Sequence, residues 1–228
     1  MLFGTLLFSL FLQFSTSSFI FKNTFNIPSA DLNKISYFLE SEYNKLKEKW
    51  NIRQEKKIEI FFCATTDDFV WKTKSNRRTG AVYTGNKIYL QPLKFLKQRN
   101  ILYDVLRHEL IHAVMVGGNN KQMPKWFHEA FAIYESGEQK RIKKKVSLKF
   151  NSLAELESFS NSANYNIMET SYYYLGITMQ YLITEYGEKS ISSVITDRNL
   201  SFEESLFMAT GESFPTFEKK IIKHLSGY

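Results

Sequence analysis

The chain has 228 residues, enough for one domain with a substantial core and too few for two comfortable ones. Hydrophobic residues make up 43% of it and aromatics 16%, a composition that excludes a disordered protein. Thirty Lys and Arg against 23 Asp and Glu give a formal charge of +7, all of it beyond the first eighteen positions, which hold no charged residue.

The N-terminus opens with an apolar run from Met1 to Phe14 and turns polar at Ser15-Thr16-Ser17-Ser18. A run this short, followed by small residues, is expected to be a secretory signal with cleavage near Ser17 or Ser18, because a membrane-spanning helix needs about twenty apolar residues. Since no Lys or Arg precedes the run, an uncleaved anchor and a buried N-terminal strand stand as the other readings. The expected layout is thus 1–18 signal peptide or anchor and 19–228 a single catalytic domain, secreted or held in the cell envelope.

Further along, Leu32, Ile35, Phe38, Leu39, Tyr43 and Leu46 share one face of a helix predicted over Ser29 to Trp50, its start marked by Pro28 and Ser29. Lys57 to Ala64 is rich in β-branched and aromatic residues and is predicted as a strand. The only cysteine, Cys63, lies in it; it excludes an intramolecular disulfide and is expected to be a buried residue without chemistry. Thr79 to Leu90 is predicted as a hairpin turning near Thr84-Gly85-Asn86, with its second arm, Lys87 to Leu90, leading toward the next helix.

That helix, within Arg99 to Val116, contains His108-Glu109-Leu110-Ile111-His112. At 3.6 residues per turn the two imidazoles lie one turn apart on one face and can reach a single metal ion, with Glu109 beside the open coordination position. A catalytic zinc site needs a third protein ligand, and Glu129, within Met123-Pro124-Lys125-Trp126-Phe127-His128-Glu129-Ala130, is the best candidate. Pro124 can begin a helix whose Trp126, Phe127, Ala130 and Phe131 bury against the first, after a turn at Gly117-Gly118-Asn119-Asn120. Its neighbour His128 can also bind zinc, but adjacent helix positions point about 100° apart, and His128 is expected toward solvent.

HELIH followed by PKWFHEAFAIY resembles the gluzincins, specifically the peptidase MA-like group, whose pattern is HExxH and then Pro-x-Trp-x-x-Glu-Gly-x-Ala. Gly80-Ala81-Val82 and Lys87 to Leu90 are similar to the family's strands before the active helix. Tyr172 to Gly187, and Ala209-Thr210-Gly211 with Phe217-Glu218, are similar to its later segments. Two positions depart from the pattern: Ala130 stands for the usual Gly, and Ile133 stands where thermolysin-like relatives have an Asp bonded to the first zinc histidine.

The resemblance implies an α+β, zincin-like fold, with a small N-terminal β-sheet, an active-site helix and a mainly helical C-terminal part. It also implies one zinc ion per chain held by His108, His112 and Glu129, with Glu109 as general base in hydrolysis of a peptide or protein substrate. A strand such as Lys87 to Leu90 is expected to line the cleft and offer its edge to an extended peptide. Tyr172, Tyr173 and Tyr174, predicted to open a helix, are candidates to donate to the oxyanion; alignment on Gly187 favours Tyr172, and plain aromatic packing is the other reading. A non-catalytic envelope protein that keeps the zinc-peptidase fold to bind a partner is the alternative function. The basic run Lys140-Arg141-Ile142-Lys143-Lys144-Lys145 is expected to be a solvated loop or a contact with an anionic envelope surface; no nucleic-acid motif accompanies it.

Overall fold

A computed structural model of the chain describes residues 14–24, 26–52, 56–117 and 123–228. The apolar run up to position 13 and most of the predicted turn after Gly117 lie outside the described residues. The fold is α+β, an N-terminal five-stranded mixed sheet followed by a mainly helical part.

The strands are β1 (Phe14–Ser15), β2 (Phe19–Lys22), β3 (Ile58–Phe62), β4 (Ala81–Thr84) and β5 (Lys87–Leu90), in the order β1-β2-β3-β5-β4. β2, β3 and β5 run parallel, with Phe21 opposite Ile60 and Ile60 opposite Ile88; β1 and β4 pair antiparallel at the two ends. Alternation puts Phe19, Phe21, Ile58, Ile60, Phe62, Ile88 and Leu90 on one fully buried face. Gly85 and Asn86 both have positive φ, as a two-residue type I′ turn requires, and this closes the β4–β5 hairpin between Thr84 and Lys87.

α1 (Ser29–Trp50) has the predicted bounds, and it buries Ile35, Leu39, Tyr43, Leu46 and Trp50. α2 (Thr66–Thr73) is capped by the Thr65 hydroxyl, which accepts from the Asp68 N–H, and α3 (Leu93–Gln98) follows β5. α4 (Leu102–Gly117) forms where the apolar periodicity from Ile101 onward predicts a helix, and Asn100, in a left-handed conformation, separates it from α3. It packs on α1, β4 and β5.

α5 (Lys125–Ser136) lies against α4 and ends at Gly137, whose φ of 77° lets the chain turn into a single 3-10 turn, Glu138–Lys140. α6 (Leu153–Phe159), α7 (Tyr165–Thr196), α8 (Phe202–Thr210) and α9 (Phe214–Leu225) complete the helical part. α7 begins seven residues before Tyr172, capped by the Asn164 side chain, so the three tyrosines lie inside the helix and do not open it. Gly187 (φ 84°, ψ 155°) breaks its helical path. Among the described residues no helix is long and apolar enough to cross a membrane.

Candidate metal centre

α4 and α5 bring the candidate ligands together. Both helices bury most of their circumference: Leu106, Leu110, Ala113, Phe127, Ala130 and Phe131 are 0–1% exposed. With α4 fixed by Leu106 and Leu110, His108 and His112 face α5; with α5 fixed by Phe127 and Ala130, Glu129 faces back. Nε2 of His108 lies 3.1 Å from Nε2 of His112, and Oε2 of Glu129 lies 3.7 and 3.9 Å from the two nitrogens. A triangle with sides of 3.1, 3.7 and 3.9 Å has a point about 2.1 Å from all three corners, the length of a zinc–nitrogen or zinc–oxygen bond. Among the described residues this is the one group of three or more His, Cys, Asp or Glu side chains that converge closely enough to hold a metal ion.

The charges of this buried group are those of a site built for a cation. Burial would raise the Glu129 carboxyl, but the His108 bond, His112 and Lys125 outweigh it and hold the pKa down at about 2. Burial pushes His112 down to about 3, so that imidazole is neutral, as a ligand must be. At His108 burial works against the charged form, yet Glu138 and Glu129 overcome it and raise the pKa well above the ordinary value.

Ile133, at the position that departs from the family pattern, is fully buried in the core and offers His108 no polar partner. A carboxylate reaches His108 by another route: Glu138, on the 3-10 turn after Gly137, places Oε1 3.2 Å from Nδ1. The contact is an ion-pair approach and not a formed hydrogen bond, and among the described residues that buried nitrogen has no other partner. Gly176 of α7 makes room for the turn; a Cβ there would stand 2.8 Å from Cβ of Gln139 and 3.1 Å from Cγ2 of Ile133.

Glu109 is held from the other side. In a two-residue hairpin the pair flanking the turn exchanges both ladder bonds and the next pair does not, so the N–H of Tyr83 points away from β5. It donates to Oε2 of Glu109 at 2.7 Å. Burial raises the Glu109 pKa to about 7, against the lowering pull of His108 and the Tyr83 bond. The strand beside the site is therefore β4 and not Lys87 to Leu90, which is enclosed between β3 and β4 and has no open edge.

These groups line a cleft of about 680 Å³, walled by Ala81, Val82 and Tyr83 of β4 and closed by the α6–α7 connection at Ser160-Asn161-Ser162. Of the three tyrosines, Tyr172 lines it. Burial, then Glu129, Glu109 and Glu138, raise its pKa, so the phenol keeps its proton and can donate. Tyr174 is buried against Phe150, with ring centroids 5.1 Å apart. His128 differs from expectation: it also lines the cleft, half-buried, with its ring centroid 6.2 Å from that of His112, while standing outside the converging set. Cys63 is buried and its thiol is pushed up to about 12, chiefly by burial, which makes it inert.

No protein-family model matches the chain, and no curated protein matches it. The geometry thus stands on its own: a zincin-like arrangement of two helix histidines and a downstream glutamate, able to hold a metal ion. The basic run at 140–145 is partly engaged within the chain. Arg141 pairs with Asp104 at 2.5 Å, the Lys144 ammonium donates to the Tyr228 carbonyl at 2.7 Å, and Lys145 lies 3.8 Å from Glu169.

Proposed function

We propose that this protein is a zinc-dependent peptidase of gluzincin type. The observation that supports it most is the convergence of His108, His112 and Glu129 at zinc-bond spacing, with Glu109 beside them in an open cleft. Two nitrogens and one carboxylate oxygen are the donor set of catalytic zinc, which leaves one coordination position to water or substrate. A zinc ion held there supplies Lewis acidity, polarising a carbonyl and bringing a water's pKa from about 15.7 toward about 7.

The chain's own residues do the rest. Glu109, with one oxygen fixed by the Tyr83 N–H, takes the proton of the attacking water on the other and passes it to the leaving amine. Tyr172 donates its hydroxyl to the oxyanion as the carbonyl becomes tetrahedral. Glu138 keeps the His108 ring in the orientation that turns Nε2 toward the metal. The outer edge of β4, apart from the Tyr83 N–H that Glu109 already holds, is where an extended peptide adds as a further strand. Export through the N-terminal apolar run belongs to the same reading; cleavage near Ser17 or Ser18 would take β1 (Phe14–Ser15) out of the sheet, whereas an uncleaved anchor keeps it, and N-terminal sequencing of exported protein decides between the two.

The deciding experiment compares zinc-loaded wild type with Glu109→Gln on a peptide library, with elemental analysis of both. One zinc per chain in each, hydrolysis by wild type that a chelator abolishes, and none by the variant is the expected result. Zinc-loaded wild type that cuts nothing, or a variant with near-normal turnover, would overturn the assignment.

A further inference from the structure

Three lysines around the sheet have a carboxylate partner: Lys72 with Asp68 at 2.7 Å, Lys97 with Asp31 at 2.5 Å, Lys87 with Glu59 at 3.4 Å. The two lysines that line the cleft, Lys74 and Lys125, have none among the described residues. Lys125 donates to a neutral oxygen, Oδ1 of Asn161, at 2.6 Å, and Lys74 lies 5.4 Å from the ring centroid of exposed Trp71. The carboxylates that line the cleft are Glu109 and Glu129, both committed to the metal and its water. A divalent ion there would balance those two charges, and Lys74 and Lys125 are the cationic side chains of the cleft wall.

Lys125 is the better placed of the two. It precedes Glu129 by four residues on α5 and so stands on the same helix face, one turn away from the metal position. Its field reaches both Glu129 and His112. The Asn161 bond ties its long side chain to the α6–α7 connection, which reduces the entropy lost when a ligand pairs with it.

We infer that the cleft selects anionic peptides, with Lys125 pairing a substrate carboxylate close to the scissile bond and Lys74 extending the same preference along the cleft. This rests on the peptidase reading for the word scissile; the carboxylate preference itself is a property of binding. An acidic side chain and a peptide's C-terminal carboxylate present the same chemistry to an ammonium group.

The test uses full-length, zinc-loaded Glu109→Gln protein, which binds without turnover. Two fluorescein-labelled octapeptide pools, identical except for Glu or Gln at the central positions, are each made as the C-terminal acid and the amide, and binding is followed by fluorescence anisotropy. The expected result is about two- to fivefold tighter binding of the carboxylate-bearing pool at low salt, the scale of an exposed ion pair, diminishing at high salt. Adding Lys125→Glu should abolish or reverse that preference, compared at equal zinc loading because Lys125 also acts on Glu129, and Lys74→Glu should weaken it. If the acid form matters and Glu does not, the C-terminus is the source; the converse result assigns the side chain. Equal binding of all pools, no binding of any, or a preference untouched by Lys125→Glu would overturn the inference. Pools that bind as expected but are not cut by wild type would sink the peptidase reading alone.

Discussion

Replacing Glu138 by Gln removes one charge and keeps the shape of the side chain, which makes it a sharp test of how the metal centre is supported. In the wild type the Glu138 carboxylate lies 3.2 Å from Nδ1 of His108, in a region where that nitrogen has no other partner. With a metal bound at Nε2, this carboxylate would favour the proton on Nδ1 and make Nε2 the stronger donor. Loss of such a partner typically weakens metal binding ten- to hundredfold, about 1.4 to 2.8 kcal/mol. Zinc affinity would be read by competition against a chromophoric chelator, alongside thermal unfolding with and without zinc. If the carboxylate acts through His108, Glu138→Gln leaves the metal-free Tm near that of wild type and shrinks the rise that zinc produces. Gly176→Ala approaches the same contact from outside: its Cβ would press to 2.8 Å from Cβ of Gln139, so the 3-10 turn has to shift and take Glu138 with it. A several-fold weaker zinc affinity is expected there too, although no side chain of the centre is altered. Wild-type zinc affinity in folded Glu138→Gln would refute the reasoning.

Two further variants test the ligand set and the oxyanion donor. Glu129→Ala should lose zinc and activity together, while His128→Ala should keep the metal; elemental analysis that found the reverse would point to a three-histidine site and against the gluzincin reading. Tyr172→Phe should lower kcat by about a hundredfold or more with KM little changed, since the hydroxyl acts on charge that develops only in the transition state, and steady-state kinetics showing a change in KM alone would remove that role.

Much of this molecule follows from local sequence. The spacing of Ile35, Leu39, Tyr43 and Leu46 after Pro28 is enough to delimit α1, and Gly85-Asn86 between two alternating segments is enough to place the hairpin, because both signals depend on backbone geometry over a few residues. The approach of His108, His112 and Glu129 was legible for the same reason, since helix phase puts the two histidines on one face and the apolar neighbours of Glu129 turn it toward them. What periodicity does not carry is the identity of a distant partner. β5 pairs with β3 through Ile60 and Ile88, residues far apart in the chain, and that pairing encloses β5 and leaves β4 at the cleft. Glu138 reaches His108 only because Gly137 takes a left-handed conformation and Gly176, on another helix, leaves room for the turn. His128 enters the cleft and Tyr172 is singled out from its two neighbours by how α5, α6 and α7 pack together. Residues near in sequence are positioned by backbone geometry that the sequence encodes locally; residues that meet across the fold are decided by packing, and only the tertiary structure shows which of them meet.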